Sequence, residues 1–156
     1  MKKLIINNTF AAGYSDNFHE MDSRELKKFY GCAGNRCGIY DEENHIAIMI
    51  TWVKPKLPGF LTDERTVLNG AKTQMRRNLP SYCQVDAMKR MIAGCDAIGD
   101  RFEYIPAGTD ILQYGDLYVF KFDKIYYAIQ LIARKNSFTQ SQKEIEEFLQ
   151  SIAVAA

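Results

Sequence analysis

The sequence carries almost no excess charge and no long apolar run. Twenty basic and nineteen acidic side chains leave a formal net charge of +1. Proteins that bind nucleic acid mainly through its phosphates usually have a clear basic excess, so we expect no nucleic acid as a partner. No apolar stretch approaches the ~20 residues that cross a bilayer, so we expect no membrane partner either.

Several motifs of catalysis and nucleotide binding are also missing. The chain has no G-x-S-x-G elbow and no G-x-x-x-x-G-K-[ST] phosphate loop. Only two histidines are present, His19 and His45, and they lie in unrelated segments. The sequence therefore predicts no catalytic residue and no cofactor.

The amino terminus resembles a secretory signal only briefly. Two lysines precede a short apolar segment in MKKLIINNTF, but the segment ends at Asn7. A signal core needs about 7–15 apolar residues. We therefore expect a cytoplasmic protein, in which the four cysteines are free thiols by default.

Apolar periodicity predicts a mixed chain of strands and helices. The expected order is strand, helix, hairpin, helix, four strands and helix. The predicted ranges are a strand at 3–12, a helix at 22–30, a hairpin of 36–40 and 45–53, a helix capped by Thr62 that stops at Pro80, strands at 83–92, 96–105, 110–122 and 125–134, and a helix that begins near Thr139 or Ser141.

Capping boxes mark the first and last helices. Asp22 with Glu25 fits one such box, and Ser141 with Glu144 fits another. The segment IYYAIQLIA is apolar on both faces, which is typical of a central strand covered on both sides. Short turns between consecutive strands indicate antiparallel pairing. The predicted class is α+β, with a twisted antiparallel sheet and helices on both faces.

Three segments are similar to parts of one family. NFHEMDSRELKKFYG resembles the opening helix of the PsbP/Mog-like domains. AGCDAIGDRFEY resembles their small-residue turn and following strand, and LYVFKFDKIYYAIQLIARKNSFTQSQKEIEEFLQSI resembles their closing hairpin and carboxyl-terminal helix. The match in pattern and order covers most of the chain. It implies a single domain over residues 1–156 that folds as a three-layer αβα sandwich.

The resemblance also implies a class of function. Relatives include an extrinsic photosystem subunit, a Ran-binding nucleotide-release factor, bacterial envelope proteins and chaperones for secretion-system effectors. They bind and assemble other proteins and share no catalytic motif. We therefore expect a non-enzymatic protein-binding or adaptor module whose partner is another protein, with a chaperone for a secreted effector as one form. The alternative is a small cysteine-dependent enzyme or a thiol redox sensor.

Two thiols, Cys32 and Cys37, lie close together in YGCAGNRCGIY. Their C-x-x-x-x-C spacing follows a helix, whereas a thioredoxin-like pair is C-x-x-C at a helix amino terminus. Cys83 and Cys95 should lie roughly 30 Å apart on consecutive strands, at about 3.3 Å per residue. They cannot complete a four-ligand zinc site together, so we expect no metal. Cys32 and Cys37 are left as thiols to test, either free or joined in a disulfide.

Large apolar residues mark TWVKPKLPGF as a candidate partner-binding segment. Trp52, Leu57 and Phe60 lie in or beside its proline-rich loop and could anchor a partner. The other interpretation places Trp52 in the core of its strand. Phe60 would then pack as a hydrophobic staple on the helix capped at Thr62.

Overall fold

The fold is described from a computed structural model, which covers residues 2–30, 35–55 and 62–155. The strands are β1 Lys2–Ile6, β2 Phe10–Tyr14, β3 His19–Glu20, β4 Arg36–Asp41, β5 Ile46–Val53, β6 Cys83–Ile92, β7 Cys95–Tyr104, β8 Gln113–Phe122, β9 Ile125–Arg134 and β10 Ala153–Val154. The helices are α1 Ser23–Tyr30, α2 Glu64–Asn78 and α3 Phe138–Ser151. The class is α+β, as predicted.

In the described ranges the larger sheet has seven strands in the order β3-β4-β5-β9-β8-β7-β6, and every pairing is antiparallel. Two-residue turns join β6 to β7 and β8 to β9. Ala93 and Gly94 form the first turn and Asp123 and Lys124 the second, all with positive φ. Such turns match the twist of the strands that they connect.

Alternate side chains of β9 enter two different apolar clusters. Tyr127, Ile129 and Leu131 pack with α3 and with the amino-terminal strands. Tyr126 and Ala128 pack with α2, beside buried Leu68 and Met75. The prediction of a central strand with two apolar faces is therefore correct.

The predicted single strand at 3–12 is wrong, because this segment is a hairpin. Asn7 and Asn8 both have φ of 52° and turn the chain between β1 and β2. Together with β10, these strands form a separate three-stranded sheet. Phe10 attaches this sheet to the larger one through edge-to-face contacts, with ring centroids 5.8 Å from Phe120 and 5.1 Å from Tyr127.

The helix caps agree with the sequence in one case and differ in two. Asp22 and Glu25 form the predicted capping box, with N–H···O distances of 3.2 and 2.9 Å. The cap of α2 is Asp63 rather than Thr62. Its carboxylate accepts a hydrogen bond from the Thr66 N–H at 2.8 Å, and this bond lowers the pKa of Asp63.

The predicted capping box of Ser141 and Glu144 is wrong. The helix α3 begins at Phe138, so Ser141 lies one turn inside it and is buried. Its hydroxyl donates to backbone carbonyls of the preceding turn and lies 2.6 Å from the Tyr114 hydroxyl. The Ser141 hydroxyl, which a capping residue would use to bond the start of the helix, is therefore engaged by Tyr114 of β8.

A buried ion pair joins β7, β8 and α3. Asp116 is 2% exposed and accepts two hydrogen bonds from Arg101, at 2.7 and 3.0 Å. The Gln142 amide of α3 donates to both Asp116 and the Tyr114 hydroxyl. Because each polar group in this cluster has a partner, it fixes the position of α3 over the sheet.

Asp116→Ala should lower the free energy of unfolding by about 3 kcal/mol, because it leaves Arg101 partly buried without its counter-charge. Urea denaturation measures this. The matched control is Glu146→Ala, which breaks the ion pair between Glu146 of α3 and Arg90 of β6; this glutamate is 45% exposed. The control should cost about 1 kcal/mol or less. Equal losses in the two variants would contradict the assigned role of Asp116.

Gly115→Ala should destabilise the protein by about 2 kcal/mol or more, because a methyl group there would overlap the ring of buried Phe102. Gly70→Ala is the control. Gly70 lies on α2, and among the described residues no atom outside its own helix backbone and chain neighbours lies within 4 Å of the added carbon. It should stabilise the protein by about 0.5–1 kcal/mol through helix propensity. Thermal unfolding of the two variants should shift the melting temperature in opposite directions.

Candidate functional site

A cleft of about 540 Å³ opens between α2 and the neighbouring face of the larger sheet. One wall is a stripe of α2 at helical spacing, formed by Ala71, Gln74, Met75 and Asn78. The remaining lining residues are Asn35, Arg36, Thr51, Trp52, Val53, Leu79, Leu117, Ala128 and Gln130. The small side chains of Ala71 and Ala128 leave this part of the sheet uncovered.

The floor of the cleft contains an amide in the middle of a central strand. Gln130 lies on β9, opposite Met49 of β5 and Leu117 of β8, and both of these neighbours are buried. No side chain in the described ranges donates a hydrogen bond to the half-buried Gln130 amide or accepts one from it. Because this amide is half-buried rather than enclosed, it can bond water or a group that enters the cleft.

The lining of the cleft is rich in side chains that form hydrogen bonds. Asn35, Gln74, Asn78 and Gln130 each offer a donor and an acceptor, and Arg36 adds a positive charge. None of the lining residues in the described part of the chain is an aspartate, glutamate, histidine or cysteine. General acid–base catalysis relies on such titratable groups within reach of the substrate.

The predicted partner-binding residues are only partly visible. The Trp52 residue borders the cleft, and its half-buried side chain also packs against the cluster that contains α3. Leu57 and Phe60 lie outside the described residues. The assignment of these three residues to a partner interface stays a prediction.

The described thiols lack the environment of a reactive cysteine. Cys37 is free, and burial raises its pKa to about 12, with Glu20 as a second cause. Burial also raises the pKa of Cys95. In the described ranges, the thiols of Cys83 and Cys95 donate only to backbone carbonyl oxygens. The ring of His19, which could otherwise serve as a base for a thiol, lies 2.7 Å from the carboxylate of Glu25. Cys32 lies outside the described residues.

The predicted separation of Cys83 and Cys95 is correct. Cys95 pairs with Ile92 at the turn of the β6–β7 hairpin, and Cys83 pairs with Glu103 at its far end. Among the described residues, no three His, Cys, Asp or Glu side chains are grouped closely enough to hold a metal ion. In the same ranges, no helix has both the length and the apolar character to span a membrane.

Apart from Trp52, sequence reasoning missed the residues that line the cleft. One signal was present, since Gln130 is the single polar residue in the apolar run IYYAIQLIA. The Gln130 side chain lies on the face of the sheet that α2 covers only in part. Only the tertiary structure shows which part of that face α2 leaves uncovered.

The free energy of unfolding at alkaline pH should show the effect of the raised pKa of Cys37. Between pH 9 and about 12 the thiol stays protonated in the folded chain but ionises in the unfolded one. The folded state therefore loses stability as pH rises through this window, by about 1.4 kcal/mol per pH unit. Urea unfolding of wild type and Cys37→Ala across the window should show this slope in the difference between them. A pH-independent difference would contradict it.

No protein-family model and no functionally described protein matches the sequence. Solved structures do match. CyanoP, the PsbP of Synechocystis sp. PCC 6803, gives a TM-score of 0.69 at 9% identity, over 99% of this chain and 92% of that one. Mog1 gives 0.59 at 6% identity, over 98% and 95%.

Two further structures extend the comparison. LpqN of Mycobacterium tuberculosis, involved in cell envelope biogenesis, gives a TM-score of 0.62 at 15% identity, over 94% of this chain and 83% of that one. A protein of Bacteroides thetaiotaomicron gives 0.64 at 13% identity over 99% of this chain, which spans only 48% of that protein. Identities this low establish the fold and nothing beyond it. The chain has the fold of the PsbP/Mog-like proteins.

Proposed function

We propose that this chain is a non-enzymatic protein-binding or adaptor module, and that the cleft beside α2 holds a segment of its partner. The observation that carries the proposal is the Gln130 amide, which lies on the cleft floor without a hydrogen-bond partner in the described ranges. An extended peptide offers N–H and C=O groups that an amide side chain can bond at once.

The composition of the cleft supports a polypeptide ligand. Met75, Leu79 and Leu117 provide apolar surface for a side chain of the partner. Gln74 and Asn78 lie exposed on α2 at the rim. Apolar surface bordered by polar side chains is the usual anatomy of a protein interface.

The fold neighbours are compatible with this class of function. LpqN is involved in cell envelope biogenesis.

We further propose the three-layer αβα arrangement, one domain and a cytoplasmic location. The first of these is supported by the separate clusters that α2 and α3 form with the larger sheet.

A chaperone for a secreted effector is the narrower form of the proposal. Such a chaperone would dock an apolar effector segment on a sheet surface or edge. The edge strand β6 offers ten residues, with Val85 48% and Met91 56% exposed. The exposed edge of β6 supports the proposal of an effector chaperone.

A photo-cross-linking amino acid at Gln74 or Asn78 should capture the same partner in cells of the source organism, because both positions border the cleft. The matched control is Asn69, which is exposed on α2 but does not line the cleft. A probe at Met91 reports on the β6 edge. Identical products from all four positions, or products from Met91 alone, would contradict binding in the cleft.

Gln130→Leu separates binding from stability. Replacing an unpartnered amide by an apolar side chain of similar size should leave the free energy of unfolding unchanged or raise it by about 1 kcal/mol. Cross-linking from Gln74 should nevertheless fall, since the partner loses its hydrogen bonds on the floor. Undiminished capture by this stably folded variant would remove Gln130 from the interface.

A further inference from the structure

A second, smaller pocket lies on the same sheet face as the cleft, at the end of β9. Its volume is about 200 Å³, and Arg134, Gln113, Tyr104, His45 and Tyr40 contribute to its lining. At about 30 Å³ per water molecule, this space suits a compact chemical group. Pockets for larger organic ligands usually measure about 300–1,000 Å³.

Strand register brings three of these side chains into one row. Tyr104 of β7 lies opposite Gln113 of β8, and Gln113 lies opposite Arg134 of β9. His45 reaches the pocket from the β4–β5 turn, where its φ is +56°. Three strands and a hairpin turn therefore position the lining, so the pocket is a property of the fold rather than of one loop.

Arg134 has a charge that the described part of the chain does not neutralise. Its Nε atom is shielded from solvent and has no hydrogen-bond acceptor, and no described carboxylate forms an ion pair with the guanidinium. An uncompensated, partly buried guanidinium is unfavourable unless an acceptor reaches it. Because Arg134 is half-buried and lines the pocket, an acceptor can approach its terminal nitrogens from there.

Among the described residues, the lining of the pocket adds hydrogen-bond donors and no acidic side chain. The Gln113 amide, the Tyr104 hydroxyl and the His45 ring can each donate into the pocket. Burial raises the pKa of Tyr104, so its hydroxyl keeps its proton near neutral pH. Burial raises the pKa of Tyr40, and the carboxylates of Glu42, Asp41 and Glu25 raise it further from outside the lining. Of these, Asp41 accepts two hydrogen bonds from Asn44, at 3.1 and 2.7 Å.

We propose that this pocket binds a compact oxyanion, the carboxylate or phosphate group of a ligand, with Arg134 as its principal contact. Guanidinium groups bind both oxyanions through paired hydrogen bonds. The site is separate from the cleft beside α2. Arg134 lies four residues beyond Gln130 on β9, which is about 13 Å at 3.3 Å per residue.

Nuclear magnetic resonance titration of the ¹⁵N-labelled full chain tests the proposal. Sodium phosphate and sodium acetate are added separately, with sodium chloride holding the ionic strength constant. Saturable shifts should appear at the amides of His45, Tyr104, Gln113 and Arg134. The stronger of the two responses identifies the preferred oxyanion. No saturable response to either anion overturns the proposal.

Arg134→Met should weaken the saturable response at least about tenfold, because it removes the charge-assisted donors. Arg77→Met is the control. It removes the same charge from an exposed position on α2 and should bind as wild type does. Equal binding by Arg134→Met and wild type overturns the proposal.

If Arg134→Met does not fold, Tyr104→Phe tests whether this pocket binds the anion. It removes one hydroxyl from the pocket and retains the ring that packs on Phe102. Binding should weaken about fivefold, the usual effect of one lost hydrogen bond. If only this variant folds, unchanged anion binding overturns the proposal.

Discussion

The burial of β9 on both faces is the constraint from which the rest of the architecture follows. Because β9 lies between β5 and β8, its backbone hydrogen bonds are satisfied within the sheet. Its side chains then require apolar cover in both directions. On one face α2 supplies that cover. On the other face, α3 and the amino-terminal hairpin supply it together, and β10 links the end of α3 back to that hairpin.

Both pockets lie where the cover over one face of β9 is incomplete. Along that face the side chains are Tyr126, Ala128, Gln130, Ile132 and Arg134. The first two lie under α2, and Ile132 packs partly beneath α1, beside Met21 and Leu26. Gln130 and Arg134 are the polar members of the series, and each lines an opening. The fold thus places its two candidate binding groups on one strand without any dedicated loop.

Local patterns in the sequence predicted those features that depend on neighbouring residues alone. The β4–β5 hairpin, the capping box of Asp22 and Glu25, and the apolar stripe of α2 belong to this class. One prediction failed because a distant partner decides the outcome. Ser141 has the spacing of a helix cap, but Tyr114 on β8 engages its hydroxyl. Neither pocket was predictable, since each depends on which part of the sheet a helix leaves uncovered.

The polar residues of β9 distinguish a binding surface from a scaffold. Stability alone favours apolar residues on a covered strand, yet Gln130 occupies a central position of β9, and Arg134 at its end keeps a solvent-shielded Nε without an acceptor. Natural sequences tolerate such local conflicts mainly at functional sites. Structures at 6–15% identity share this fold, so the fold by itself sets few of the residues of this chain. These two residues are therefore where the particular function of this chain is best sought.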